Sequence, residues 1–136
     1  MNNLLFLVLV LIKYFVVNQA CKQNNVVILN ELGPGRVLEY HCRSKDDDLG
    51  VKKMNFNGPP YTIRFRDEIP NLTRWACIFR QGPSNEYSFD VEVYKAGERL
   101  IPRCGQLRIW AARLDGIYFA RKANTPLVRA LSWNKK

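Results

Sequence analysis

From about residue 24 onward the chain alternates between apolar and polar positions. In RVLEYHC, Leu38, Tyr40 and Cys42 fall on one face of an extended strand while Val37, Glu39 and His41 fall on the other. YTIRFRD sets Tyr61, Ile63 and Phe65 against Thr62, Arg64 and Arg66, and TRWACIFR groups Trp75, Cys77 and Phe79. EYSFDVEVY opposes Tyr87, Phe89, Val91 and Val93 to Ser88, Asp90 and Glu92. The apolar faces are aromatic and β-branched, as strands prefer. NVVIL near residue 25, a short piece at Val51 to Asn55, QLRIWA near residue 106 and GIYFA near residue 116 complete the set. The spacing predicts about seven to eight short strands separated by turns. The turns carry Gly33-Pro34-Gly35, Gly58-Pro59-Pro60, Gly82-Pro83, Gly97, Gly105 and Gly116. No window shows a helical stripe, and parallel pairing calls for crossover helices, so the pattern predicts an all-β fold, a small antiparallel β-sandwich.

The first twenty residues break this pattern. An apolar run from Leu4 to Val17, interrupted only by Lys13 and Tyr14, ends in Ala20. It is shorter than a membrane-spanning helix and reads as a signal peptide over residues 1–20, followed by one domain over residues 21–136 that is secreted to the extracellular space. A chain of 136 residues has room for one core, not two. Cys21, Cys42, Cys77 and Cys104 then enter an oxidising compartment, where two disulfides are expected; four cysteines allow three pairings. No C-x-x-C spacing occurs, which disfavours zinc, and no motif calls for another cofactor. Asn71-Leu72-Thr73 is an N-glycosylation acceptor at Asn71.

Charge is uneven. Residues 21–68 carry eight Lys and Arg against seven Asp and Glu, whereas residues 69–136 carry twelve against five. That balance points to an acidic partner, either a receptor face or an anionic wall polymer or membrane surface. Nucleic acid is a poor partner for an exported chain.

The densest chemistry lies in HCRSKDDDLG, residues 41–50. His41 and Cys42 are neighbours on a strand and point to opposite faces, so they form no catalytic pair. With one histidine and no matched acid, base and nucleophile, an enzyme is not expected. Asp46, Asp47 and Asp48 lack the alternating spacing and closing glutamate of an EF-hand loop. Ser44 and the aspartates can bond to nearby backbone N–H groups and Gly50 relaxes the backbone, so the stretch reads as a turn between strands.

NELGPGRVLEYHC running into HCRSKDDDLG, with TRWACIFR, FDVEVY, Cys104 followed by IWAARLDGIYFA, and a terminal LSW, resembles the plant self-incompatibility S1 family, also called S-protein homologues. His41, Cys42, Ser44, Lys45, Asp46, Asp47, Asp48, Leu49 and Gly50 match its most recognisable motif. Cys77, Phe89, Asp90, Val91, Cys104, Trp110, Asp115 and Gly116 match later landmarks. The resemblance implies a small secreted plant β-sandwich with intramolecular disulfides and a role as a signalling ligand for a cell-surface receptor, in self-incompatibility or related communication; separately, the chain is expected to be a monomer. Many members carry a second cysteine where this chain has Arg108, which suggests Cys77 paired with Cys104 and Cys21 with Cys42. Specificity is expected in the loops at Gly33 to Arg36, Asp67 to Leu72, Gln81 to Glu86 and Lys95 to Pro102, and on outer faces bearing Arg64, Arg66, Arg74, Arg80 and Arg99. A cationic defence protein acting on microbial membranes or wall polyanions is the competing reading. Trp75 is expected in the core, Trp110 on a second sheet face or near an edge, and Trp133 packed on a strand end, with the basic tail at Lys135 and Lys136 disordered.

Overall fold

The computed structural model describes residues 3–11, 22–67, 73–97 and 104–135. Residues 3–11 form a short helix with exposed side chains, and no helix among the described residues is long and apolar enough to cross a membrane. The remaining chain forms β1 (Asn24–Asn30), β2 (Val37–Arg43), β3 (Asp48–Asn55), β4 (Tyr61–Phe65), β5 (Arg74–Gln81), β6 (Tyr87–Lys95), β7 (Leu107–Arg113), β8 (Gly116–Ala120), β9 (Val128–Leu131) and β10 (Asn134–Lys135), with a single 3-10 turn at Pro83–Asn85. One sheet has the order β4-β1-β7-β8-β9 and the other β10-β6-β5-β2-β3.

The expected alternation is realised as burial. Leu38, Tyr40, Cys42, Trp75, Cys77 and Phe79 face inward from one sheet, and Val26, Ile28, Ile63, Phe65, Trp110 and Ile117 from the other. Aromatic rings join the layers: Phe65 meets Trp75 at 5.9 Å and Tyr94 at 4.7 Å between ring centres, and Tyr40 meets Tyr61 at 4.9 Å. A polar knot is buried beside them. Asn24 Nδ2 and the Tyr94 hydroxyl both donate to Asp67 Oδ1, at 2.9 and 2.7 Å. Asp67, expected at the start of an exposed loop, is therefore an interior residue whose carboxylate is satisfied by side chains from two other strands.

Several expectations are corrected. β1 and β7 pair in parallel, in register from Asn25 opposite Leu107 to Asn30 opposite Ala112. No crossover helix is needed, because the whole of β2 to β6 serves as the connection. The third strand starts at Asp48, three residues before the expected Val51, and Met54 is its one buried residue. Of the basic tail, Lys135 is paired in β10 while Lys136 lies outside the described residues: β9 extends one sheet, β10 extends the other, and Trp133 between them donates its indole N–H to the Arg113 carbonyl at 2.7 Å. Trp133 thus packs on a strand end as expected. Its neighbours in β9 are nearly all exposed, so backbone pairing rather than an apolar face places that strand.

Disulfide pairing is the sharpest correction. Cys42 and Cys77 lie directly opposite each other on the adjacent strands β2 and β5 and are bonded to one another, with Cα atoms 4.0 Å apart. This bond runs within one sheet, and it excludes both Cys77 with Cys104 and Cys21 with Cys42. Side chains on neighbouring antiparallel strands approach closest at directly opposed positions, which is the separation a disulfide needs. Cys104 is also disulfide-bonded. Cys21 is the one remaining cysteine of the sequence and lies outside the described residues.

Strand directions sort the connections. Because β1 and β7 run together and every other pairing is antiparallel, residues 31–36, 56–60 and 82–86 all emerge at one end of the sandwich. Residues 44–47, 66–67, 73, 96–97 and 104–106 belong to the opposite end.

Candidate functional site

The motif at residues 41–50 is a β-hairpin turn. Arg43 pairs with Asp48, and between them the Ser44 N–H donates to the Asp47 carbonyl at 2.7 Å while the Asp47 N–H donates to Ser44 Oγ at 3.1 Å. His41 Nε2 lies 2.6 Å from Asp48 Oδ1, and the Gly50 N–H donates to the same oxygen at 2.9 Å. Gly50 has φ +78°, a left-handed value that favours glycine and follows a register shift between His41 and Arg43. The bond from Gly50, then that from His41, holds the Asp48 carboxyl below its ordinary pKa.

This arrangement clamps a turn rather than building a reaction centre. A carboxylate beside a histidine resembles two parts of a triad, but Ser44 Oγ accepts from a backbone N–H inside the turn. Asp48 is committed to its own hairpin, and among the described residues no group of three or more His, Cys, Asp or Glu side chains converges to hold a metal ion. Lys45, Asp46 and Asp47 are exposed around the turn, and Leu49 packs against the core.

The opposite end has more shape. Asn30, at the end of β1, is buried and ties the 31–36 loop to β3. Its Nδ2 donates to the carbonyls of Met54 at 2.8 Å and Arg36 at 3.0 Å, while its Oδ1 accepts from the Leu32 N–H at 2.9 Å. Three residues other than glycine take left-handed backbone here, Asn57, Ser84 and Asn85, beside Gly33, Gly35 and Gly82. Such conformations persist only where surrounding contacts enforce them. Asn85 Nδ2 and Arg80 each bond to Glu39 at 3.3 Å. The loops and the ends of β2 and β3 enclose an open groove of about 560 Å³ lined by Pro34, Gly35, Arg36, Lys53, Pro83 and Asn85, among others.

The four loops expected to carry specificity therefore divide. Gly33 to Arg36 and Gln81 to Glu86 meet at the groove, while of Asp67 to Leu72 and Lys95 to Pro102 only Asp67 and residues 95–97 are described, and these lie at the far end. Asn71 and Arg99 lie outside the described residues. Arg64 and Arg74 are exposed as expected, whereas Arg80 is half-buried against Glu39. Trp110 faces the core, stacks on Phe119 at 4.5 Å and donates its indole N–H to the Val93 carbonyl at 3.1 Å. The sequence hid Asn30 as a loop anchor: an asparagine at a strand end signals only a turn, and its three partners are set by the crossing of two sheets.

The sequence model for plant self-incompatibility protein S1 matches residues 25–133. S-protein homolog 25 of Arabidopsis thaliana is 73% identical over 135 residues, covering 99% of each chain. S-protein homolog 30 of the same species is 72% identical over 129 residues, 93% of this chain and 99% of the relative. Among solved structures, a self-incompatibility protein homologue from a family described as small, highly stable, secreted proteins from plants matches with a TM-score of 0.68 and 38% identity, over 86% of this chain and 99% of the other. With the motif turn and the two-sheet architecture in place, the chain belongs to the plant self-incompatibility S1 family of S-protein homologues.

Proposed function

We propose that the protein is a secreted ligand recognised by a cell-surface receptor, and that the receptor meets the groove end of the sandwich. The observation that carries this reading is one open groove set between the 31–36 loop, which Asn30 pins to β3, and the strained, hydrogen-bonded turn at residues 82–86. Preformed loops lose little entropy on association, so their contacts translate into affinity. The apolar run at the N-terminus, the disulfides and the secreted character described for the structural relative support export. A turn-clamping motif with no assembled nucleophile supports recognition rather than turnover.

The test is saturable binding of the labelled protein to plant cells. Reversing charge at Arg36 and Lys53 to glutamate should weaken binding at least about tenfold while leaving the fold intact, since paired contacts at a recognition surface govern dissociation. Reversal at Arg64, on β4 away from the groove, should leave it unchanged. The opposite ranking overturns the placement, and no saturable binding overturns the ligand role. The charge excess of residues 69–136 favours one second reading, defence at an anionic surface. It requires leakage of anionic vesicles that falls as salt rises, because screening shortens the reach of exposed charges to about 8 Å at physiological ionic strength.

A further inference from the structure

β6 is only half covered. On one side it pairs with β5 along its length, but on the other β10 reaches only Tyr87 and Ser88. Among the described residues the edge from Phe89 to Glu92 has no strand beside it. It ends at Val93, where a register shift against β5 leaves one residue unmatched and the Trp110 indole takes up the Val93 carbonyl at 3.1 Å. Beyond this point lies a cleft of about 310 Å³ lined by Tyr94, Lys95, Arg108, Trp110, Phe119 and Arg121. Arg108 is buried over the Tyr94 ring, at 5.4 Å, and bonds to the Leu107 carbonyl and Gln106. Lys95 and Arg121 are exposed and make no ion pair among the described residues; Arg121 sits over Phe119 at 5.8 Å. Among the described residues, Glu92 on the rim is the cleft's one carboxylate.

We propose that this flank binds an extended peptide segment of a partner protein, which adds as a strand to Phe89–Glu92 and places an acidic side chain between Lys95 and Arg121. An open strand edge presents unpaired N–H and C=O groups, and another peptide backbone is the partner that completes them. The cations choose the acid, and Glu92 rejects a second acid at the rim. A sugar polymer fits less well: Trp110 and Tyr94 are 8% and 2% exposed, so neither offers a flat ring for stacking. The flank lies apart from the groove end and binds its segment whether or not that end meets a receptor.

The experiment uses the full secreted chain with disulfides intact and a fluorescent peptide of about eight alternating valine and threonine residues ending in glutamate, long enough at about 3.3 Å per residue to span edge and cleft. Three comparisons accompany it: the same peptide N-methylated at alternate positions, an oligogalacturonate, and an unlabelled competitor. Anisotropy should show saturable binding that the N-methylated peptide loses at least about tenfold, with hydrogen exchange slowed at residues 89–92. Lys95→Gln with Arg121→Gln should weaken binding about fivefold to tenfold, the sum of two exposed charge contacts. Arg64→Gln with Lys53→Gln should not. Equal binding of the N-methylated peptide or the oligogalacturonate, equal loss from the remote pair, or no binding of the parent peptide would each overturn the proposal.

Discussion

Replacing Asn30 by alanine removes two donors and one acceptor from a buried position in a single step. The Met54 carbonyl and the Leu32 N–H lose their partners inside the protein, whereas the Arg36 carbonyl is only partly buried and regains water. A buried polar group left unpaired costs about 1–3 kcal/mol and a solvent-reachable one about 0.5–1, so the two buried and one reachable groups together should cost about 2.5–7 kcal/mol. Against a typical net stability of about 5–15 kcal/mol, that is a large fraction. With a urea slope of about 1–3 kcal/mol per molar, the midpoint of tryptophan fluorescence should fall by about 2 M. Asn30→Asp is the companion. It keeps an acceptor for Leu32 but turns a carboxylate oxygen toward two carbonyls, so at neutral pH it should be at least as unstable as the alanine variant. A midpoint within about 0.3 M of the parent for Asn30→Ala, on the same slope, or an undisturbed Asn30→Asp, would refute the hydrogen-bond assignment and the pinning of the loops.

Asp48 titrates below its ordinary value in the folded state, so its contribution is present above roughly pH 4 and is lost as pH falls through the lower folded pKa. Urea midpoints should fall as the pH drops below about 4, and Asp48→Asn should flatten that fall. At Gly116 an added Cβ would stand 2.3 Å from the Leu131 carbonyl oxygen, on the strand that closes the sheet. Gly116→Ala should therefore cost about 1–3 kcal/mol and detach β9, seen as faster hydrogen exchange at Val128–Leu131. Replacing Cys42 and Cys77 together by alanine opens a separation of 35 residues and should cost about 3–4 kcal/mol, measured by urea melting of the oxidised protein.

The eight strands with one apolar face were legible because inward and outward positions alternate with period two wherever a sheet covers a core. β9 and β10 were not, since VRAL and the terminal residues have no apolar face and are placed by backbone pairing and by Trp133. The motif turn was legible from Ser44, the aspartates and Gly50, whose roles are local. Its clamp, His41 on Asp48, needed the hairpin register, which the sequence does not print. Asp67 read as a loop residue because its partners Asn24 and Tyr94 are far away in sequence.

Composition and period thus determine that this chain becomes two apolar-faced sheets with a turn at residues 44–47, because those features depend on residues within a few positions of one another. Which cysteines bond, which loops share an end, and which strand edge stays open are decided only by tertiary structure. Cys42 reaches Cys77, and Asn30 reaches both Arg36 and Met54, through strand order and direction. Those arise from packing two sheets against each other, a property of the whole chain that no local window contains.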